Sequence, residues 1–476
     1  MSVRCHQISL KEAFAQCQDL LMEDTPSFFK ILDDYVVLDD FIPPGFSSAF
    51  YKHLGRNRLY PLSGFLSALI LQKIFSIPTD AMLILFLGLC QELRDFCGFS
   101  KVPDPSLFTR FKQDFLPYIE QMFSNMVDVT EPICQAIDAS LAQTLIFDTS
   151  GIELYVAENN PKNLNALIRR LKSFYKNRPD VDPYRMAYGL MPAQAAACPH
   201  AKQMYINGHF CYADKFAVLT NGLGVVRHIA FLDDPDFHAS HPALTSDRKV
   251  GSPERDKSLG DSSALQPVLT DFFSCHPDCH PSIFLGDAAF DSAASYGLLL
   301  HDFHFSKALI PYNPRNKGSL KKVGYNEYGY PTCPNDPSLT MKYLGITREK
   351  GRADRIKWGC PRMHYDHGWI CDCETPCTTA KCGRTAYTYD NMDLRMFPGI
   401  QRDSDQWVAL YKVRASIERT IAHFKTNLCV AGRKSRNHLT TKADVFLAGI
   451  ASLLTVIVAS RMNCPQFLRS LKPLIA

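Results

Sequence analysis

No apolar run in this 476-residue sequence is long enough to cross a bilayer. Met82–Cys90 is far too short, and Val445–Ser460, about sixteen residues, falls below the roughly twenty that a spanning helix needs. The longer run therefore reads as a buried helix. The N-terminal residues MSVRCHQISLKEAF lack the uninterrupted apolar stretch of a secretory signal, so the expectation is a cytoplasmic protein with no membrane partner. No internal repeat or low-complexity tract is visible. No nucleophile-elbow motif accompanies the plentiful Ser and His, so a Ser/His/Asp triad has no footing. A large net charge is missing too, at +4 overall.

An apolar fraction of 46% with 21% charged residues marks a globular chain, long enough for two to four domains. Seventeen cysteines without a secretory signal favour free thiols in a reducing compartment. The modest net charge hides an asymmetry. From Tyr411 onward eleven Lys and Arg face only Glu418 and Asp444, leaving this tail at +9 and the rest near −5. Such a tail suggests a polyanion partner, though a solvated basic surface has the same composition.

Residues 1–135 read as helical. LSGFLSALILQKIF and DAMLILFLGLCQELRDF are separated by IPT, and VPDP introduces SLFTRFKQDFLPYIEQMF with Asp104 or Ser106 as N-cap. Three closely joined helices suit helix-turn-helix DNA binding, with Thr109, Arg110 and Lys112 as contacts, or simply a bundle. The texture changes at 141. AQTLIFDTSG reads as a strand ending at Asp148, and Asn221-Gly222 within NGHFCYADKFAVLTNGLGVVRHIAFL signals a hairpin. A long polar loop spans 233–263, the helix ALQPVLTDFF follows, and SIFLGDAAF is a second strand closing at Asp287. Residues 315–400, rich in Gly, Tyr and Cys, read as an insertion before the stretch YKVRASIERTIAHFK.

That stretch is predicted helical. Tyr411, Arg414, Glu418 and Lys425 fall within about 60° on the wheel, beside an apolar stripe of Leu410, Val413, Ile417, Ile421, Phe424 and Leu428. An Arg–Glu pair at i, i+4 explains part of this on its own. The other reading makes Glu418 a metal ligand with Asp148 and Asp287. Two divalent ions about 3.5–4 Å apart, held by carboxylates, catalyse phosphodiester transfer, and Mg²⁺ suits such a site. Neighbouring cations would orient the phosphate.

Tyr411-x2-Arg414-x3-Glu418-x6-Lys425 matches the Y-x2-R-x3-E-x6-K signature, and the chain resembles bacterial insertion-sequence DDE transposases that carry it. FDTSG and GDAAFDS resemble the first two catalytic blocks of that family, and VPDPSLFTRF its helical DNA-binding domain. The resemblance implies an α/β ribonuclease H-like catalytic core, preceded by an all-α N-terminal domain and interrupted by the Cys-rich insertion. It divides the chain into a helical DNA-binding and assembly domain (1–135), a first core segment (136–314), the insertion (315–400), and a C-terminal core segment with its basic helix (401–476). It further implies two Mg²⁺ on Asp148, Asp287 and Glu418, with Tyr411, Arg414 and Lys425 on DNA phosphates. Its implied partners are double-stranded DNA, as terminal inverted repeats and target, and a second copy in a dimer or larger nucleoid-associated assembly.

The insertion departs from many members of the family. Cys360, Cys371, Cys373, Cys377 and Cys382 lie close in sequence with Cys333, His364 and His367 nearby; they could hold a structural Zn²⁺, although the spacing differs from common paired motifs. CHPDCH (Cys275, His276, Cys279, His280) is a weaker metal candidate. Trp358 and Trp369 could stack on an unpaired base or fill a small core. Three other functions compete: a ribonuclease H-like nuclease of repair or junction cleavage, a catalytically silent DNA-binding protein, and a zinc-dependent adaptor.

Overall fold

The computed structural model describes residues 27–52, 57–206, 209–244, 259–313, 315, 324–351, 353–366, 369–389, 394–402 and 404–475. Apolar periodicity governs the first third. Its main helices are α1 (Ser27–Tyr35), α2 (Pro44–Phe50), α3 (Leu62–Ile74), α4 (Asp80–Leu89), α5 (Gln91–Phe96), α6 (Pro105–Asp114) and α7 (Leu116–Ile137). Two stretches that read as single helices are each broken in two. The first breaks at Cys90, whose extended backbone ends α4 and whose Sγ caps α5 by accepting from Leu93 N. The second breaks at Phe115, because Pro117 cannot donate and is best accommodated in a helix's first turn, where it opens α7. Asp104, not Ser106, caps α6, its carboxylate accepting from Ser106 N at 2.9 Å.

Strand β1 covers Thr144–Glu153 and so runs five residues past Asp148. Thr149, Ser150 and Gly151 look like turn formers, but each is paired with β3 (His209–Asn221), opposite Ala217, Phe216 and Lys215. Sheet pairing overrides their local preference. β3 is antiparallel to β1, and its other edge takes β2 (Lys202–Ile206) and β4 (Val226–Phe231) on successive halves. On the far side of β1 lie β5 (Ile283–Leu285) and then β6 (Lys307–Leu309), both parallel. The β3–β4 hairpin closes at Gly224, which takes φ +81°, while Asn221 Oδ1 accepts from Val225 N at 3.0 Å.

Alternation along β1 sends Leu145 and Phe147 into one core and Ile146 and Ile152 into the other. The second core is continuous with the N-terminal helices. It is completed by α8 (His438–Arg461), the buried helix foreseen in Val445–Ser460. By length and composition α8 could cross a membrane, but 89% of its apolar window is buried within the protein. It packs on α3, α6, α7 and β4. At Gly449 a Cβ would stand 2.7 Å from the Phe123 ring of α7, so only glycine permits the approach.

Asp444 sits in this apolar helix, fully buried, with Lys73 Nζ at 3.0 Å, Lys112 Nζ at 2.9 Å and Arg433 Nε at 2.6 Å. Lys112 and Arg433 also pair with Asp80. Burial pushes Lys73 down to about 7, more than its nearby acid restores. Lys112 is therefore a structural cation with no exposed surface, which corrects its assignment as a DNA contact.

The insertion forms a sheet of β7 (Lys342–Thr347), β8 (Arg355–Gly359) and β11 (Thr385–Tyr389) beside the hairpin β9–β10 (Met363–Tyr365 and Trp369–Cys371). Its core is Tyr330, Met341, Ile356, Trp358 and Phe397. Trp358 is fully buried and donates to Thr388 Oγ1 at 2.8 Å, so packing, not base stacking, is its role. His367 and the Trp369 side chain lie outside the described residues, as do 245–258 of the polar loop.

Two measurements check this fold. Asp444→Ala leaves three buried cations poorly compensated and should cost about 3–5 kcal/mol, read as a lowered denaturant midpoint. His438, the first residue of α8, lies between Asp214 (3.1 Å) and Asp234 (3.4 Å); burial pulls its pKa down, but the two acids hold it up at about 9. Its contribution is fully present below about pH 6.5 and fades as pH rises through 9. Over that window wild type should lose roughly 1–3 kcal/mol relative to His438→Gln in parallel unfolding curves.

Candidate active site

Asp148 projects from the middle of β1 toward the helical side of the sheet, on the face shared with Ile146. Its Oδ1 accepts from Thr149 N at 2.9 Å. Asp287 follows β5 and caps a short 3-10 turn, accepting from Ala289 N at 2.8 Å. Glu418 comes from the segment predicted as one helix, which is helical throughout but uneven. It comprises Asp405–Tyr411, a 3-10 turn at Lys412–Arg414, the α-helix Ala415–Ala422, and a π turn at His423–Asn427. The π turn lets Lys425 lie half-buried near Asp148 and Cys211. Such insertions in a helix commonly accompany functional sites.

The structure brings the expected residues together. The Arg414 guanidinium stands 3.5 Å from Asp148 and bonds Glu418 directly. Burial and the like charges of Asp287 and Glu418 push Asp148 up to about 6, against the pull of Arg414. Tyr411 belongs to the same group: burial raises its hydroxyl to about 12, with all three acids adding to the shift. That hydroxyl donates to the carbonyl of Gly286 at 3.3 Å, next to Asp287. Trp407 stacks on Tyr411 with ring centroids 4.7 Å apart.

Asp291 was not singled out from the sequence. It is fully buried and holds Arg395 at 2.8 Å, Arg402 at 2.9 Å and the Tyr296 hydroxyl at 3.0 Å. These bonds fasten the far end of the Asp287 turn to the C-terminal edge of the insertion. The doubled acid in GDAAFDS was the available signal.

Of the N-terminal candidates, Thr109 and Arg110 are exposed on α6, and Arg110 bonds Ser106 Oγ at 2.9 Å. Thr109 and Gln113 line a groove of about 460 Å³ with Arg433, Lys434 and Arg436. Part of the +9 tail is committed elsewhere: Arg433 pairs with Asp80 and Asp444, and Lys442 with Glu120 and Asp234.

Cys333 and Cys360 are buried, Cys371, Cys373 and Cys377 partly so, and Cys382 is exposed. Burial and then Cys333, Cys371 and Cys377 raise the Cys360 thiol, so these groups face one another. Among the described residues, the one His/Cys/acid trio with ligand atoms mutually within 4.8 Å is Glu153, His209 and Cys211; neither the insertion's cysteines nor the three acids close that far. In CHPDCH, His276 is buried against Asp128 at 2.6 Å and Cys275 is exposed.

Residues 18–114 match the family model described as a transposase domain, DUF772. No curated protein matches the chain. Among solved structures, the cryo-EM structure of a piggyBac transposase synaptic complex with hairpin DNA aligns over 95% of this chain and 79% of that one, at 10% identity and a TM-score of 0.36, too slight a likeness to carry weight. The family match, which covers the N-terminal helices, supports a transposase.

The burial of Asp148 among like charges gives a test in protein stripped of metal. A carboxyl whose folded pKa is raised destabilises the fold above that pKa, and the penalty shrinks as pH falls toward its unfolded value. Asp148→Asn should therefore stabilise the protein at pH 8 by about 1–2 kcal/mol, with a smaller gain at pH 5, in paired denaturation curves.

Proposed function

We propose that this chain is a DNA transposase of the DDE type. The observation that carries the reading is the gathering of Asp148, Asp287 and Glu418 around Tyr411, with Arg414 paired to Asp148 and Glu418 and Lys425 near Asp148. The strand arrangement supports a ribonuclease H-like core: β3 antiparallel to β1, then β5 and β6 parallel on its other side. Acids in this core stand on a central strand, after its parallel neighbour, and on a helix packed over the sheet.

The donor set fits Mg²⁺. It is all oxygen, it is partly open to solvent, and burial together with the like charges of Asp287 and Glu418 makes the charged form of Asp148 costly without a cation. Two such ions, when bound, would activate an attacking water or 3′-hydroxyl and stabilise the leaving oxygen. The chain's own cations do the positioning. Arg414 presents a planar fork suited to a phosphate, and Lys425 a compact charge near the same acid. The exposed face of α6 and the basic rim at Lys434 and Arg436 offer a surface for double-stranded DNA. Cutting and joining two terminal repeats would need two copies of the chain on paired ends. A structural Zn²⁺ on the gathered thiols of the insertion belongs to the same proposal, as a staple for a small core.

Asp148→Ala, Asp287→Ala and Glu418→Ala should each abolish Mg²⁺-dependent cleavage of DNA carrying the element's terminal repeats, while gel-shift binding to that DNA persists. Cleavage that survives any one of the three changes removes the assignment. Cleavage of branched or damaged DNA without regard to the repeats would point instead to a repair nuclease.

A further inference from the structure

Away from the three acids, the end of β1 meets the start of β3 in a cluster that the proposed chemistry does not use. Glu153 pairs in register with Ala213, so it shares a sheet face with His209 and Cys211, which alternate along β3. His209 Nε2 lies 3.2 Å from Glu153 Oε2, and the Cys211 sulfur completes a set whose ligand atoms are all within 4.8 Å of one another. Cys211 is buried at 2% exposure, while Glu153 and His209 stay 38% and 45% exposed and leave a path from solvent.

We propose that Glu153, His209 and Cys211 bind a Zn²⁺ ion. Zinc bonds of about 2.0–2.3 Å in a tetrahedron set ligand atoms roughly 3.3–3.8 Å apart, so small side-chain rotations close this set. One thiolate, one imidazole and one carboxylate suit Zn²⁺, whereas Mg²⁺ takes oxygen ligands and would not compete for the sulfur. Binding displaces the thiol proton of Cys211 to solvent, and the fourth position is open to water. The ion would pin the β2–β3 hairpin to the strand that carries Asp148. The site shares no ligand with the three acids and does not depend on their role.

Cobalt titration of the full-length protein tests this, because thiolate coordination gives Co²⁺ a charge-transfer band that oxygen ligands do not. The insertion's cysteines can produce the same band, so the readout is the difference between variants. Cys211→Ser should lose one thiolate-bound equivalent relative to wild type, and Asp148→Ala should lose none. His209→Ala should weaken that equivalent roughly tenfold or more, and it decides the matter if Cys211→Ser fails to fold. An unchanged stoichiometry in Cys211→Ser, or an unchanged affinity in His209→Ala, overturns the site.

Discussion

A carboxylate buried in the second turn of an apolar helix is the constraint on which the assembly of this protein turns. α8 is apolar on nearly every side, so hydrophobic packing alone tolerates several rotations and shifts along its axis. Asp444 removes that freedom. Its charge is acceptable only where Lys73, Lys112 and Arg433 can all reach it, and those residues come from α3, α6 and the segment before α8. The cluster costs desolvation, visible in the depressed Lys73, so its role is better understood as register than as net stability. One register then places Gly449 against Phe123 and seats the sheet above.

From that base the constraint passes to the acids. α8 supports β4 and α7, and the helix bearing Glu418 lies over β1 and β3. This helix is fastened at two points: Thr420 Oγ1 donates to the Gly224 carbonyl at 2.7 Å, and the Tyr411 hydroxyl reaches Gly286. Asp287 is held at the other end of its turn by Asp291 and two arginines. Each acid thus stands on an element fixed by bonds outside the site. That is what allows like charges to be held together at a cost in stability.

Much of the site was legible because its signals were local. Strand texture located Asp148 and Asp287, and the wheel placed Arg414, Glu418 and Lys425 on one face. The failures were tertiary. Thr149 to Gly151 read as a turn because nothing in their identity announces β3 as a partner. Lys112 read as a surface cation, yet Phe108, Phe111 and Phe115 frame it at helical spacing. A lysine inside an apolar stripe requires a buried acid, and Asp444, immediately before the apolar run that begins at Val445, is its visible counterpart. Trp358 fills the small core that was one of its two readings, while Asp291 gives no local signal of its role because Arg395 and Arg402 lie about a hundred residues further on.

Arg414 connects structure to the proposed chemistry. It stands between Asp148 and Glu418 and supplies positive charge to both. Burial, with the like charges of Asp287 and Glu418 added, still holds the Asp148 carboxyl above its ordinary value against the pull of that guanidinium. With divalent ions held by the acids, these ion pairs would no longer be needed. The guanidinium would then be free to turn toward a DNA phosphate without crossing the site. On this view the Arg–Glu spacing of an ordinary surface pair also keeps a phosphate-binding group in place beside acids that would otherwise repel one another.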